Sequence, residues 1–419
     1  MKAAAFITLG CKVNQCETEN MIKQFTNGGW SIVDGPADVF VINTCSVTAV
    51  ADKKSRQAIR RAKSQNPGAV VVVTGCFAQL QPELLSNMEQ VDLILSNREK
   101  DYILPKIEKH LQDIGYHGPD TVTVISPPPY KTRAFLKVQD GCTNFCAYCI
   151  IPYARGTLQS TPLQDVVAQA NQLGIAGYRE IVLTGIHLAS YGIEHGRHDL
   201  YDLLFALQNI PGIDRVRLGS LEMTPILHKI AQNAHNLPKL CNHFHISLQS
   251  GCDATLHRMK RRYSAAQYHD AILALRQHFP GAAITTDFMV GFPGETEDEF
   301  LQSLHFAKTL GFAKMHVFPY SVREGTLAAT MADQIPADIK KERAKQASDL
   351  AFKMEQNFHK TMLGETENVL FEQGENGCYY GYTTNYTRAK AQCSHDISGQ
   401  ILPVLLDRID ENMICATLV

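Results

Sequence analysis

The stretch Asp140–Gly156 reads DGCTNFCAYCIIPYARG, and the rest of the chain is arranged about it. Cys142, Cys146 and Cys149 are spaced C-x3-C-x2-C, with Tyr148 before the last and Arg155-Gly156 closing the loop. So short a spacing can gather three thiolates round one metal centre. A structural zinc takes four protein ligands, and no fourth cysteine or histidine lies nearby in sequence. Iron–sulfur cubanes are commonly held by four cysteines, one per iron. Three cysteines leave one iron open, and a small molecule can bind and react there. A zinc knuckle and three unrelated core cysteines are the alternatives at this point.

The chain has 419 residues, enough for several domains with their own cores. Hydrophobic residues make up 45% and charged residues 20%, the balance of a soluble globular protein. A formal net charge of −2 supplies no global field for nucleic acid, so such a partner must be met by local patches. The 12 cysteines are too sparse for a disulfide scaffold, and the loop needs reduced thiolates, which points to the cytoplasm. The opening MKAAAFITLGC has an apolar run of about eight residues behind a lone lysine, short of a secretion signal. No run approaches the roughly 20 apolar residues of a membrane span, so no membrane contact is expected.

Outward from the loop, the first domain (1–115) repeats one design. Ala3–Leu9 runs into Gly10-Cys11, Val39–Asn43 into Thr44-Cys45, and Val70–Thr74 into Gly75-Cys76. These short apolar, β-branched runs suit strands buried on both faces of a parallel sheet. Helical stretches follow at Glu17–Asn27, Val50–Gln65 and Gln81–Met88, a βαβ alternation. In open α/β sheets the ligand crevice lies at the strand carboxyl ends, where Cys11, Cys45 and Cys76 all fall. They are expected to converge on a second cluster site. Cys16, in the first helix, reads as a packing residue. Lys53, Arg56, Arg60 and Lys63 form a helical stripe, with Lys54 and Arg61 beside it, either a solvated face or a phosphate-binding one.

Prolines at 119 and 127–129 mark a linker over 116–132. From 133 to 362, strands are read at Ala134–Val138, Glu180–Thr184, Arg215–Gly219, Phe244–Leu248, Ala283–Phe288 and Lys314–Pro319. Helices lie between them at Leu163–Leu173, Leu200–Gln208, Pro225–Asn233, Ser264–His278 and Glu297–Leu310. Six β/α units fit a partial TIM-type barrel with its chemistry at the strand C-terminal ends. Gly185, His187, Ser220, Glu222, Gln249, Asp287, the loop Gly291–Glu295, Tyr320 and Arg323 fall there, on a rim suited to a nucleoside-like cofactor. Arg258, Lys260, Arg261 and Arg262 could meet phosphates near it.

Pro336–Leu363 reads as a long helix with Ala347, Leu350, Ala351, Met354, Phe358 and Met362 on its apolar face. After Gly364 the period becomes strand-like, at Glu367–Phe371, Tyr379–Thr384, Tyr386–Ala391, Ile401–Ile409 and Met413–Leu418. A small OB-like β-barrel is expected over 363–419. Tyr379, Tyr380, Tyr382, Tyr386, Arg388 and Lys390 are placed as a possible surface for stacking unpaired bases.

The order of these three parts, with all six cysteines in place, resembles the methylthiotransferase branch of the radical S-adenosylmethionine enzymes. That resemblance covers essentially the whole chain. It implies an α/β N-terminal domain, a (β/α)6 radical S-adenosylmethionine barrel and a C-terminal TRAM domain. It implies two 4Fe–4S clusters: a radical one on Cys142, Cys146 and Cys149, and an auxiliary one on Cys11, Cys45 and Cys76. S-adenosylmethionine would meet Tyr148, Gly185, Ser220, Glu222, Gln249, Asp287 and Tyr320. LGCKVNQCETE (Leu9–Glu19), FLKVQDGC (Phe135–Cys142) and CIIPYARG (Cys149–Gly156) resemble the members acting on threonylcarbamoyl-adenosine beside the tRNA anticodon. Relatives acting on isopentenyl-adenosine read closer to GCQMN, and those acting on a ribosomal-protein aspartate closer to GCPKN. Cys16 stands where those members carry a tyrosine. The implied reaction uses one S-adenosylmethionine to methylate sulfur at the auxiliary site and a second to make the radical that activates carbon 2 of the adenine. The implied partners are a tRNA anticodon stem-loop and a flavodoxin- or ferredoxin-like electron donor, with the enzyme a monomer. A two-cluster electron carrier and a non-catalytic RNA-binding protein are the readings from other classes; the first leaves the barrel rim without a purpose.

Overall fold

Val39–Thr44 and Val70–Gly75 are buried along their whole length, and they form the centre of a five-stranded parallel sheet. In the computed structural model, which describes residues 2–116 and 132–419, its strands are β1 (Ala3–Thr8), β2 (Ser31–Ile32), β3 (Val39–Thr44), β4 (Val70–Gly75) and β5 (Leu93–Ile94). The order is β2-β1-β3-β4-β5. Alternation divides the side chains between two cores. Phe40, Ile42, Val71 and Val73 pack with Ile59, Ala62 and Phe77, while Val39, Val41, Val70 and Val72 pack with Met21, Phe25, Ile103 and Ile107. The two-residue edge strands β2 and β5 carry no sequence run that marks them. This sheet belongs to a unit made of Met1–Tyr130, Gly141–Thr157 and Ser321–Ala329. The prolines of the expected linker, at 119 and 127–129, lie outside the described residues.

Two helix boundaries differ from expectation. The first helix runs Lys12–Asn27 rather than from Glu17, and Cys11 takes its N-cap position. The expected helix Gln81–Met88 is two short ones, Cys76–Leu80 and Pro82–Ser86. Pro82 has no N–H to continue a helix but a φ suited to starting one, so the chain breaks at Gln81.

The second unit comprises Lys131–Asp140, Leu158–Tyr320 and Thr330–Val419. Its strands are β6 (Arg133–Lys137), β7 (Gln139–Asp140), β8 (Gln159–Ser160), β9 (Glu180–Thr184), β10 (Arg215–Leu218), β11 (Ser220–Leu221), β12 (His243–Ile246), β13 (Ala283–Val290) and β14 (Lys314–Pro319). β7 and β8 form a small antiparallel ladder. The others make two parallel sheets, β6-β9-β10 and β11-β12-β13-β14. Between β10 and β11 the Gly219 amide still donates to Leu183 O at 2.8 Å, so Arg215–Leu221 is one kinked strand shared by both sheets. The result is a half-barrel in chain order, with β6 and β14 unpaired to one another. Ile181, Leu183, Val216, Leu218, Phe244, Ile246, Ile284 and Phe288 turn to a single apolar layer, which Leu203, Leu227, Ile272 and Phe300 of the surrounding helices complete. The long helix Ala337–Met362 lies along β14. Ala347, Ala351 and Met354 join the barrel core, whereas Phe358 and Met362 join the next one.

The C-terminal strands β15 (Thr366–Glu375), β16 (Cys378–Thr383), β17 (Arg388–Gln392), β18 (Ile401–Asp410) and β19 (Met413–Leu418) close a barrel in the order β15-β16-β17-β19-β18. Val369, Phe371, Ala389, Val404, Leu406 and Ile414 fill it. Tyr386 is not in a strand; it sits at φ 69° in a turn where its amide donates to Thr383 O. Its ring stacks on Tyr382 at 4.6 Å. Arg133 lies 4.6 Å from the Tyr382 ring and Arg217 lies 4.5 Å from the Tyr386 ring. These two tyrosines, expected on a base-stacking surface, are therefore spent on docking this module to the half-barrel. Arg215 donates to Tyr382 O and Asn368 O at 3.1 and 2.6 Å, and Arg217 to Thr384 O at 3.0 Å. Arg133, Glu180 and Arg215 each begin a barrel strand, so the docking face is the N-terminal end, the end that carries stability in such barrels. Burial alone would raise the Glu180 carboxyl; Arg217 with Arg133 and Arg215 outweighs it and holds the group below its ordinary range.

Candidate functional site

β1, β3 and β4 are neighbours in register, with Thr8 opposite Asn43 and Asn43 opposite Thr74. Their carboxyl ends are therefore level, and Cys11, Cys45 and Cys76 leave them on one edge of the sheet, as expected. Cys45 and Cys76 are buried and Cys11 is exposed. Gly10 has φ 112°, and a Cβ there would stand 2.9 Å from Cys45 Cβ and 3.1 Å from its sulfur, so only glycine lets the two segments approach. The Asn14 amide fastens both strand ends, donating to Leu9 O at 2.8 Å and Thr44 O at 2.9 Å. The Cys45 thiol is pushed up first by burial, against the Val47 amide, and further by Cys76 and Cys11. A cationic centre beside Cys45 would relieve that effect. Among the described residues no three His, Cys, Asp or Glu side chains stand close enough to share a single ion. A cubane gives each thiolate its own iron and so spreads its ligands wider than one ion does. Cys16 is buried in the first helix.

The loop of Cys142, Cys146 and Cys149 closes on itself. Cys142 N donates to Gly156 O at 3.0 Å, and Cys149 N to Cys146 O at 2.9 Å. Gly141, at φ 73°, faces Thr157 O so closely that any Cβ would collide with it. The following helix, Ile151–Arg155, packs on the helix Cys76–Leu80, and the Asn97 amide donates to Ala154 O at 2.9 Å. Arg155 then reaches into the other cysteine set. It pairs with Glu17 and donates to Asn14 Oδ1 at 2.7 Å, while Lys100 holds the same Glu17 carboxylate at 2.5 Å. Glu17, Lys100 and Arg155 are all buried. A second link joins Arg323 to Asp52 and, at 2.6 Å, to Ser46 beside Cys45. Arg323 was expected on the barrel rim; its place is here, because a buried Asp52 needs a cation. Sequence reasoning passed over Asn14, Glu17, Lys100 and Asp52. The signal was present, since polar residues so near strand-end cysteines are rarely buried without partners.

On the half-barrel Gly185, Ser220 and Gln249 fall at or just past strand carboxyl ends as expected, whereas β13 runs on to Val290 and leaves Asp287 within the strand, on its inner face. Gly185 packs on Gln139, whose Oε1 accepts from the His187 amide at 2.7 Å. His187 Nε2 lies 2.5 Å from Glu222, and Arg261 takes the other oxygen of that carboxylate. Ser220 Oγ lies 3.4 Å from Ser247 Oγ, and Ser247 donates to Asp287 at 3.3 Å. Gln249 adopts φ 65°, and its amide bonds Asp287 O at 2.9 Å. Among the described residues its buried Oε1 meets no hydrogen-bond donor, so a ligand donor there would satisfy it. Tyr320 is buried edge-on against Phe292, with Lys340 Nζ 5.0 Å from its ring. Tyr148 lies half-buried in the cysteine loop. Two expectations fail here. Glu295 does not face a ligand; its carboxylate accepts from Gly291 N at 2.6 Å and Arg343 at 2.8 Å, which holds its own loop. Arg258 and Arg261 are committed to Glu299 and Glu222, leaving Lys260 and Arg262 as the exposed members of that basic run.

Residues 136–307 match the model of the radical SAM superfamily, and residues 3–96 that of the uncharacterized protein family UPF0004. The radical S-adenosylmethionine methyltransferase TsrM from Kitasatospora setae shares the fold, with a TM-score of 0.57 at 12% identity over 78% of this chain and 76% of that one. Half-barrel and cysteine loop thus define a radical S-adenosylmethionine enzyme. The threonylcarbamoyladenosine tRNA methylthiotransferase MtaB of Bacillus subtilis (strain 168) is 39% identical over 96% of this chain and 93% of its own length. A tRNA-2-methylthio-N(6)-dimethylallyladenosine synthase of Syntrophomonas wolfei is 31% identical over 87% of this chain and 85% of its own. The chain belongs to the radical S-adenosylmethionine methylthiotransferase family, in its MtaB-type branch.

Proposed function

We propose that this enzyme inserts a methylthio group at carbon 2 of threonylcarbamoyladenosine beside the anticodon of a tRNA, using two S-adenosylmethionine molecules and two 4Fe–4S clusters. The observation that carries the reading is the buried Arg155–Glu17–Asn14 link, which fastens the two cysteine sets within one unit. Cys142, Cys146 and Cys149 would hold the radical cluster and Cys11, Cys45 and Cys76 the auxiliary one. When bound, these groups and S-adenosylmethionine supply the radical and the methylthio sulfur. The protein's part is placement. Gln249, with its unmet acceptor, Gly185, Ser220, Tyr320 and Tyr148 are proposed to hold S-adenosylmethionine. Glu222 and Asp287 act through neighbours, because His187 with Arg261 and His245 with Ser247 already engage their carboxylates. Lys53, Lys54, Arg60 and Arg61 are exposed on the helix Ala49–Gln65 and suit RNA phosphates. Residues 1–115, 133–362 and 363–419 are the proposed domains of a monomer, acting in the cytoplasm with a flavodoxin- or ferredoxin-like donor. No described helix is long and apolar enough to cross a membrane.

The decisive experiment is mass spectrometry of tRNA nucleosides from cells with and without the protein. The methylthio form of threonylcarbamoyladenosine should disappear; loss of an isopentenyl nucleoside instead, or of none, refutes the substrate. Anaerobic reconstitution should yield roughly eight irons per chain. Replacing Cys11, Cys45 and Cys76 together by Ala should halve that while sparing cofactor cleavage, and an unchanged iron content refutes the auxiliary site.

A further inference from the structure

The half-barrel is apolar on its outer face, and its inner face carries a polar patch along β12, β13 and the middle of β14. Along β12 and β13, Phe244, Ile246, Ile284 and Phe288 enter the core beneath the helices. His243, His245 and Ser247, and Thr285 and Asp287, alternate to the opposite face. On β14, Met315 turns to the core and His316 inward. These inner residues form a continuous chain. His243 Nε2 meets Thr285 Oγ1 at 3.2 Å, and His245 Nδ1 meets the same hydroxyl at 2.9 Å. His245 Nε2 meets Asp287 at 3.3 Å, and Ser247 donates to that carboxylate. The His316 ring stands 5.8 Å from that of His245.

A closed barrel of this class fills its interior with branched apolar side chains. Here one patch of the inner face keeps contact with solvent, since the Asp287 side chain is 30% exposed and His316 is exposed. Its floor is formed where Tyr386 of the C-terminal module meets His243 at 5.0 Å. Such a lumen presents a donor on the His316 imidazole and an acceptor on the second oxygen of Asp287, whose first oxygen His245 and Ser247 already hold. An apolar group placed against it would strand those polar atoms without water, which a site of this kind rejects strongly. A group with a carboxylate, a hydroxyl and amide-like N–H bonds would satisfy them.

We propose that His316 and Asp287, held in place by His245 and Ser247, form a recognition site in the half-barrel lumen for a polar, carboxylate-bearing substituent on the target base. The inference rests on the function proposed above, in which that substituent is the threonylcarbamoyl group. It assigns base selectivity to the lumen and leaves the cysteine loop indifferent to the substituent.

The test uses the full reconstituted enzyme and anticodon stem-loop RNAs that differ only in one adenosine: threonylcarbamoylated, isopentenylated or unmodified. Fluorescence anisotropy should show the wild type preferring the first over the other two by about 10- to 100-fold, the range expected of charge-assisted hydrogen bonds. His316→Leu should erase the preference without weakening binding of unmodified RNA, His316→Gln should keep part of it, and both should retain iron content and cofactor cleavage. A wild type without preference, or a His316→Leu preference equal to wild type in a protein of full iron content, overturns the inference. Should His316→Leu lose iron, the Gln variant and His245→Gln decide by the same ratio. Failure of the function itself reads out separately, as the absence of methylthio product on the threonylcarbamoyl RNA with wild-type enzyme.

Discussion

Glu17→Gln is the perturbation that most directly tests how the two cysteine sets are fastened. The carboxylate is 6% exposed and sits between Lys100 and Arg155, two buried cations, with Asn14 completing the contact to Arg155. Neutralising it leaves the cations facing each other without compensation. Removing one partner of a buried pair costs about 3–5 kcal/mol. An independent ceiling comes from Lys100, whose pKa is already lowered by burial and by Arg155 against the pull of Glu17. It can escape by losing its proton, and deprotonating a lysine of ordinary pKa at pH 7 costs about 4.6 kcal/mol. Both routes give a loss near 4 kcal/mol. The assay is built into the chain, since the single tryptophan, Trp30, lies in the same unit as Glu17. With a slope of about 2 kcal/mol/M, the tryptophan-detected urea midpoint should fall by about 2 M. Adding Lys100→Met to Glu17→Gln should recover much of the loss by removing a stranded charge. A loss under about 1 kcal/mol, or no recovery in the double variant, refutes the reasoning.

Three further outcomes are expected. Replacing Lys53, Lys54, Arg60 and Arg61 together by Ala should weaken RNA binding and lower the salt exponent by roughly 3, at about 0.7–0.9 per phosphate contact, as read from a titration of affinity against salt. Tyr386→Ala removes the stack on Tyr382 and both guanidinium contacts, costs about 3–4 kcal/mol and exposes residues 366–418 to protease; Tyr386→Phe, losing only the bond from Arg133, costs about 1 kcal/mol. Glu180, held below its ordinary pKa, stabilises the fold above that value and loses the contribution as pH falls through its depressed folded pKa. Calorimetric scans below about pH 4 should therefore show a shallower acid decline for Glu180→Gln than for wild type.

The order of domains, the strands that end in cysteine and the C-x3-C-x2-C loop were legible in the sequence, because burial on both faces writes a continuous apolar run and metal ligation writes a short spacing. That local record has limits. Gln81–Met88 looked like one helix until Pro82 divided it, and the two-residue strands β2 and β5 leave too short a trace to read. The larger misreadings concerned polar side chains, whose role depends on what lies across the fold. Tyr382 and Tyr386 have the composition of a base-stacking surface and the position of a domain clamp. Arg323 follows a rim strand in the chain yet closes on Asp52 and Ser46. Glu17, Lys100 and Arg155, far apart along the chain, become one charge cluster only when both cysteine segments fold into one unit. The sequence alone determined which cysteines were candidates for a shared metal centre, since that expectation needs only residue type and place along the chain. Tertiary structure alone decided which charges hold the two sets together and where the half-barrel's inner face keeps a polar patch, because a buried ion pair or a cluster of side chains from several strands exists only between segments that the chain keeps apart.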